Sequence, residues 1–338
     1  MSSPVIPSEC AARLSVTLDE RTAPPSTVSG VQQSRGLLHV RAREASAGGP
    51  RNAATRAAPS PVILSGARGA ESKDPARRQR DQVPAIELRD VSFSYGKEPF
   101  IEGLSATFPH GAVTSIVGPN GCGKSTMVKL VDGLLRPQAG EVRIDGVPTL
   151  SMKAKERARR VAVLAQAARP PAMTVEELVA CGRYPYQARQ GRLSREDREQ
   201  VERALELAGI AAFRTHELRR LSGGERQRAF IAMTLAQDTG LIVLDEPTTY
   251  LDIRACHETM ELVRRLNEEA GKTVVMVIHD LDLALRYSDR LLVMERGRAT
   301  AAGSVGEVLG TGAIERAFGV AVRPHEAAEG RAYALFPA

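Results

Sequence analysis

Two stretches of this 338-residue chain carry residue types that together do phosphate chemistry. The first is Gly118-Pro119-Asn120-Gly121-Cys122-Gly123-Lys124-Ser125, followed by Thr126, and it fits G-x-x-x-x-G-K-[ST]. Its glycines let backbone N–H groups turn inward around phosphate oxygens. Lys124 would reach the β- and γ-phosphates of a nucleotide such as ATP, and Ser125 would place its hydroxyl on Mg2+. Cys122 stands at a variable position and carries no chemistry of its own. The second stretch is Asp245-Glu246, at the end of the apolar run Leu241–Leu244. Asp245 is suited to hold Mg2+, and Glu246 to act as general base on an attacking water. A plain glycine-rich turn and a solvated Asp-Glu are the alternatives, and the two stretches occurring together argue against both.

Such groups need a sheet edge to hold them. Ala112–Val117 reads as a short apolar strand before the loop, and Ser125–Leu135 as the helix after it, whose N-terminus adds the positive end of its dipole. Ala85–Tyr95 reads as a strand with a bulge at Arg89-Asp90. Val161–Ala165, Leu241–Leu244, Thr273–Ile278 and Arg290–Met294 are runs of the buried-strand type. Their alternation with helical stretches predicts an α/β fold with a largely parallel sheet, in which ligands bind at the carboxyl ends of the strands. Residues 168–220 differ. Thr174–Cys181 and Ser194–Ala208 are helical, Ser194 and Asp197 have capping-box spacing, and no strand lies between them. This predicts a helical subdomain inserted into the core. Ala321–Arg323 and Ala332–Leu335 are candidates for a small terminal hairpin within a tail, residues 321–338.

Composition narrows the function classes. Hydrophobic residues make up 43%, enough for a substantial core, and no run of about 18 apolar residues marks a membrane span. The net charge of +6 belongs to the N-terminus: residues 1–83 hold 12 Lys/Arg and 7 Asp/Glu, and the other 255 residues hold 34 and 33. Residues 1–83 show no sustained hydrophobic period and read as a disordered extension. An organelle-targeting peptide is weakened by the seven acidic residues. An upstream start codon read in error is the remaining alternative. The near-neutral remainder, with few aromatics, predicts no nucleic-acid partner. Cys10, Cys122, Cys181 and Cys256 are far apart and none has C-x-x-C spacing, which argues against metal ligation and a disulfide framework. A cytoplasmic location is the default expectation.

Leu221-Ser222-Gly223-Gly224-Glu225-Arg226-Gln227-Arg228 lies 98 residues after Lys124 and 23 before Asp245, counted from Ser222. Ser222 can cap a helix running to about Leu235, and the glycines permit close approach of an anion. With this segment the chain resembles the ATP-binding cassette family over about residues 85–310, within an expected ATPase domain of residues 84–320. The resemblance implies a P-loop nucleotide-binding domain with an inserted helical subdomain and a small N-terminal antiparallel β part. It implies that two copies pair head to tail, with ATP held between one copy's phosphate loop and Ser222 and Gly224 of the other. Tyr95 would stack on adenine, although a half-buried strand aromatic explains it almost equally well. Gln166 resembles the glutamine that senses Mg2+ and water, Asp252 the loop linking the two sites, and His279, 34 residues after Asp245, the histidine that contacts the γ-phosphate and orients water.

Gly182-Arg183-Tyr184-Pro185, together with Leu235–Thr239 and Thr248–Ile253, resembles the ATPases of iron–siderophore, haem and cobalamin importers, with ferric siderophore favoured. That resemblance implies a polytopic membrane permease as partner, contacted near Gln166–Tyr186, and indirectly an extracytoplasmic substrate-binding protein. It also implies a peripheral position on the cytoplasmic face of the membrane. The rival readings are a non-transport ATPase of the same family acting on ribosomes or DNA, an importer ATPase for another substrate, and a regulatory module without turnover. One cassette rather than two, and 98 residues rather than hundreds between Lys124 and Ser222, weigh against ribosome and DNA-repair members.

Overall fold

The computed structural model describes residues 83–166, 170–187, 192–327 and 330–337. The extension read as disordered, residues 1–83, lies outside the described residues apart from Val83. Three sheets are present among the described residues. The first contains β1 (Ile86–Phe93), β2 (Ile101–Phe108), β4 (Ala139–Ile144) and β5 (Val147–Pro148) in the order β2-β1-β4-β5, all antiparallel. The expected bulge is present. The β1–β2 register shifts between Leu88 and Val91, and Asp90 takes a φ of 47°. The extra residue leaves Arg89 and Asp90 exposed while Leu88 and Val91 both stay buried.

The second sheet contains β3 (Val113–Val117), β6 (Val161–Leu164), β7 (Leu241–Asp245), β8 (Thr273–Val277), β9 (Arg290–Glu295) and β10 (Arg298–Ser304), in the order β10-β9-β3-β8-β7-β6. All neighbours are parallel except the hairpin of β9 with β10. The residues of β3, β7 and β8 are buried throughout, as their unbroken apolar runs require. Strands β2, β4 and β10 were not read from the sequence. Gly103, Gly140 and Gly303 interrupt their alternation, and a glycine inside a short run masks a strand.

The helices are α1 (Lys124–Val131), α2 (Ala154–Arg157), α3 (Val175–Cys181), α4 (Arg195–Leu207), α5 (Gly223–Ala236), α6 (Ile253–Glu268), α7 (Leu281–Tyr287), α8 (Val305–Gly310) and α9 (Ala313–Phe318). Helix α1 stops four residues short of the predicted Leu135. Gly133, at φ 70°, takes the left-handed conformation that terminates a helix, and its N–H bonds the Leu130 carbonyl. Between β6 and β7, α3, α4 and α5 pack on one another. Thr174 and Ser194 cap α3 and α4 through reciprocal boxes with Glu177 and Asp197. The third sheet pairs β11 (Val320–Ala327) with β12 (Gly330–Pro337). Val320, Val322 and Tyr333 pack this hairpin against the core.

Helices α3 and α5 meet closely at Gly182. A Cβ there would stand 2.2 Å from the Met233 carbonyl oxygen. Gly182→Ala is expected to cost ~1–3 kcal/mol of unfolding free energy by overpacking. The measurement is a urea titration, in which the midpoint should fall with the slope unchanged.

Candidate active site

Strands β3, β8, β7 and β6 are consecutive and parallel, so their carboxyl ends share one edge of the sheet. In register, Val277 lies beside both Ile116 and Asp245, and Leu164 beside Leu244. The phosphate loop leaves β3, His279 follows β8, Asp245 ends β7 with Glu246 next, and Gln166 comes two residues after β6. Residues separated by more than a hundred positions thereby face one cleft.

Asn120, Gly121, Gly123, Lys124, Ser125 and Thr126 line that cleft with Glu246, His279 and Phe100. Its volume is about 380 Å³. Gly118, Pro119 and Cys122 are not among its lining residues. Lys124 is buried, and its Nζ donates to the carbonyls of Gly118 at 2.8 Å and Pro119 at 3.0 Å. The loop thus holds its own ammonium group, to be exchanged for a stronger acceptor such as phosphate. The Cys122 thiol is buried 3.8 Å from Lys124 Nζ, and burial pushes its pKa up against the opposing pull of that ammonium.

Glu246 is the hub of the site. Its backbone takes a φ of 54°, a conformation rare for a non-glycine residue. Its carboxylate accepts from Gln166 Nε2 at 2.8 Å, Thr249 Oγ1 at 3.1 Å and His279 Nε2 at 2.5 Å. Sequence reasoning missed Thr249, although three residues after Glu246 is the reach of a turn. Asp245 is buried, and its carboxyl is raised above the usual range, first by burial and then by the adjacent Glu246 charge. Ser125 Oγ donates to Asp245 Oδ1 at 3.3 Å and opposes that shift. A hydroxyl and a desolvated carboxylate side by side form a hard oxygen pair that suits Mg2+, whose charge would relieve the strain of burying Asp245.

Tyr95 stands exposed beside the cleft. Its hydroxyl meets Thr126 Oγ1 at 3.1 Å, and its ring packs against Phe93 and Phe100 with edge geometry. Phe100, another residue not singled out by sequence, gives this side of the cleft an aromatic wall.

The remaining predicted residues lie elsewhere. Ser222, Gly224 and Asp252 line a second cleft, which shares no lining residue with the first. Ser222 Oγ accepts from the Glu225 N–H at 3.3 Å and donates to Glu225 Oε2 at 2.7 Å, while Glu225 also accepts from the Ser222 N–H at 2.8 Å. The Ser222 hydroxyl holds the Glu225 carboxyl below its usual range. Asp252 caps α6 through the Ala255 N–H at 2.8 Å. A Cβ on Gly224 would stand 3.0 Å from Ala255 Cβ, so the start of α5 packs closely against the start of α6 with no room to spare. Tyr250 and Ile253 are exposed on the rim.

A family model described as ABC transporter matches residues 101–249. The ferric enterobactin transport ATP-binding protein FepC of Escherichia coli (strain K12) is 42% identical over 241 residues, covering 71% of this chain and 89% of that protein. The petrobactin import ATP-binding protein FpuD of Bacillus anthracis is 43% identical over 226 residues, covering 67% and 83%. Among solved structures, the ATP-binding cassette MJ0796, a dimer in a post-hydrolysis state bound to ADP and Pi, aligns with a TM-score of 0.57 at 30% identity, covering 65% of this chain and 98% of that one.

The two separate clefts generate a test. In dilute protein, Lys124→Ala should weaken ATP binding about 10- to 100-fold, the worth of one charged hydrogen bond. Ser222→Ala should leave that binding unchanged and lower turnover. Fluorescent-nucleotide titration alongside phosphate release measures both.

Proposed function

The chain belongs to the ABC transporter family, and on that premise we propose that it is the ATP-binding subunit of a ferric-siderophore importer, hydrolysing ATP between two head-to-tail copies coupled to a separate permease. The observation that carries the pairing is the division of the predicted site into two clefts with no common residue. One cleft has the phosphate loop and the carboxylates. The other offers the N-terminus of the 14-residue helix α5, with the Ser222 hydroxyl and two glycine N–H groups. The dimeric state of a cassette 30% identical supports the same pairing. The substrate class is supported by the transport of ferric enterobactin and petrobactin named for relatives 42% and 43% identical.

In this reading Lys124 leaves the Gly118 and Pro119 carbonyls for the β- and γ-phosphates, and N–H groups of the glycine-rich loop and of the start of α1 surround them. Tyr95 takes the adenine. Glu246 accepts a proton from the attacking water, oriented by His279 and Gln166, which already converge on its carboxylate. Ser125, Asp245 and Gln166 would hold Mg2+, which supplies charge neutralisation of the phosphates. Ser222 and Gly224 of the second copy complete the γ-phosphate site, and Asp252 sits where it links one cleft to the other. ATP then favours the closed pair because the site is whole only there, and its loss on hydrolysis reverses that preference.

Transport needs a partner that spans the membrane, since no described helix is long and apolar enough to cross one. The permease would seat in the groove between the core and the helical insert. Ala154, Ala158, Val161, Val163, Met233 and Pro185 make its wall apolar, and its volume is about 250 Å³. That seat places the chain on the cytoplasmic face of the membrane, with a substrate-binding protein on the other side.

Two measurements test this. Glu246→Gln should trap a nucleotide-bound dimer on size exclusion and reduce phosphate release at least 100-fold; undiminished turnover would remove Glu246 from its role. Deletion of the chain should abolish uptake of 55Fe–siderophore by cells, whereas loss of cobalamin uptake alone would reassign the substrate. The groove adds a pH dependence. Asp132 lines it, and burial raises its carboxyl from 3.8 to about 6 against the pull of Arg157. Because the folded pKa is the higher one, ionisation costs stability as pH rises through that window. Asp132→Asn should match the parent below about pH 4 and be the more stable above about pH 6 in thermal melts.

A further inference from the structure

The Gly182–Tyr186 turn belongs to neither nucleotide cleft, yet it is bonded to several separate elements. Arg183 is 3% exposed. Its Nε donates to Asp197 Oδ1 at 2.8 Å and its Nη1 to the Ala236 carbonyl at 2.8 Å. Asp197 also closes the capping box of α4, and Ala236 is the last residue of α5. One guanidinium therefore joins the end of α3, the start of α4 and the end of α5. Burial opposes ionisation of Asp197, but hydrogen bonds from Arg183 and Ser194 outweigh it and hold the carboxyl below its usual range.

The Arg183 guanidinium also lies 4.0 Å from the centroid of the Tyr186 ring. Arg159 lies 5.1 Å from the same centroid, and it comes from the core, in the turn between α2 and β6. Arg159 donates to the Pro185 carbonyl through Nε at 3.1 Å and Nη2 at 2.9 Å. Gln237, one residue past α5, donates to the Val161 carbonyl at 2.9 Å, where β6 begins. Tyr186 is thus shared by a cation of the insert and a cation of the core. Contacts of this kind are worth ~0.5–2 kcal/mol each, strong enough to set an orientation and weak enough to yield.

We infer that Tyr186, held by Arg183 and Arg159, is the joint through which an occupant of the apolar groove acts on the signature helix α5. This deepens the permease reading and rests on it. The groove is lined from both sides of the joint, by Pro185 and Gln237 next to the insert contacts and by Ala158 and Val161 of the core, while Tyr186 itself is not part of the lining. Helix α5 has Ser222 at one end and Ala236 at the other, ~21 Å apart at 1.5 Å per residue. A rigid helix clamped at Ala236 carries any displacement there to Ser222, which the second copy's nucleotide needs. Tyr186 is a positioning residue; it touches no nucleotide.

The test uses the full chain alone and together with the permease isolated with it from native membranes. Tyr186→Leu keeps apolar bulk and removes the ring. It should retain the basal turnover, KM for ATP and permease co-isolation of the parent, yet lose at least five-fold of the permease-stimulated kcat, and Tyr186→Phe should restore the stimulation. Full stimulation in Tyr186→Leu would overturn the joint. If that variant does not fold, Arg159→Lys takes its place, with the same expected loss and the same overturning result. A permease-independent arm separates this failure from failure of the permease reading. The distance distribution between labels on exposed Arg195 of α4 and Glu102 of β2 should broaden in the tyrosine or arginine variant. An unchanged distribution would overturn the joint even if no permease binds, whereas broadening without co-isolation of any permease by the parent chain would overturn only the groove's assigned partner.

Discussion

Four adjacent parallel strands, β3, β8, β7 and β6, hold this active site together. A parallel ladder aligns the carboxyl ends of its strands, and here each end delivers one component: the phosphate loop, His279, the Asp245-Glu246 pair and Gln166. The register sets Asp245 beside Val277 and Leu164 beside Leu244, so displacing a strand by one residue would turn its terminal side chain to the other face. Burial on both faces removes that freedom. Strands β3, β7 and β8 have no exposed residue, so a one-residue slip of β7 would carry the Glu246 carboxylate into the buried place of Asp245.

That edge concentrates charge in a small space. Asp245 is buried next to another carboxylate, and the Glu246 side chain is shared by three donors. Lys124, the cation proposed for the phosphates, is bonded to its own loop. In the proposed function a polyphosphate with a divalent cation would supply acceptors to the lysine and positive charge to the carboxylates. Ligand binding completes an electrostatic set that the chain leaves open.

On the proposed pairing, the second cleft would give ATP a reason to bring copies together. A nucleotide bound by one phosphate loop alone lacks the donors of α5, and those donors lie on a helix whose far end is clamped at the groove between insert and core. A ligand shifts an equilibrium only by its differential affinity for the two states, and a site split between two polypeptides is a direct way to create that difference. On the proposed joint, the same helix would link events at the groove to events at the phosphate.

Much of this was determined by sequence because the chemistry is local in the chain. The phosphate loop, the Ser222–Glu225 capping box and the Asp245-Glu246 pair each lie within eight residues, where spacing alone dictates which atoms meet. The central strands were legible as apolar runs. Tertiary structure decided what depends on distant partners. Thr249 and Phe100 join the cleft through backbone turns that no periodicity signals, and Lys124 turns into its loop because buried ammonium groups take the nearest acceptors. Gly182-Arg183-Tyr184-Pro185 carries in sequence only its resemblance to importer ATPases and an implied partner contact nearby. Folded, Arg183 is a buried tie among three helices, because its partners Asp197 and Ala236 lie 14 and 53 residues away and only packing brings them to one guanidinium.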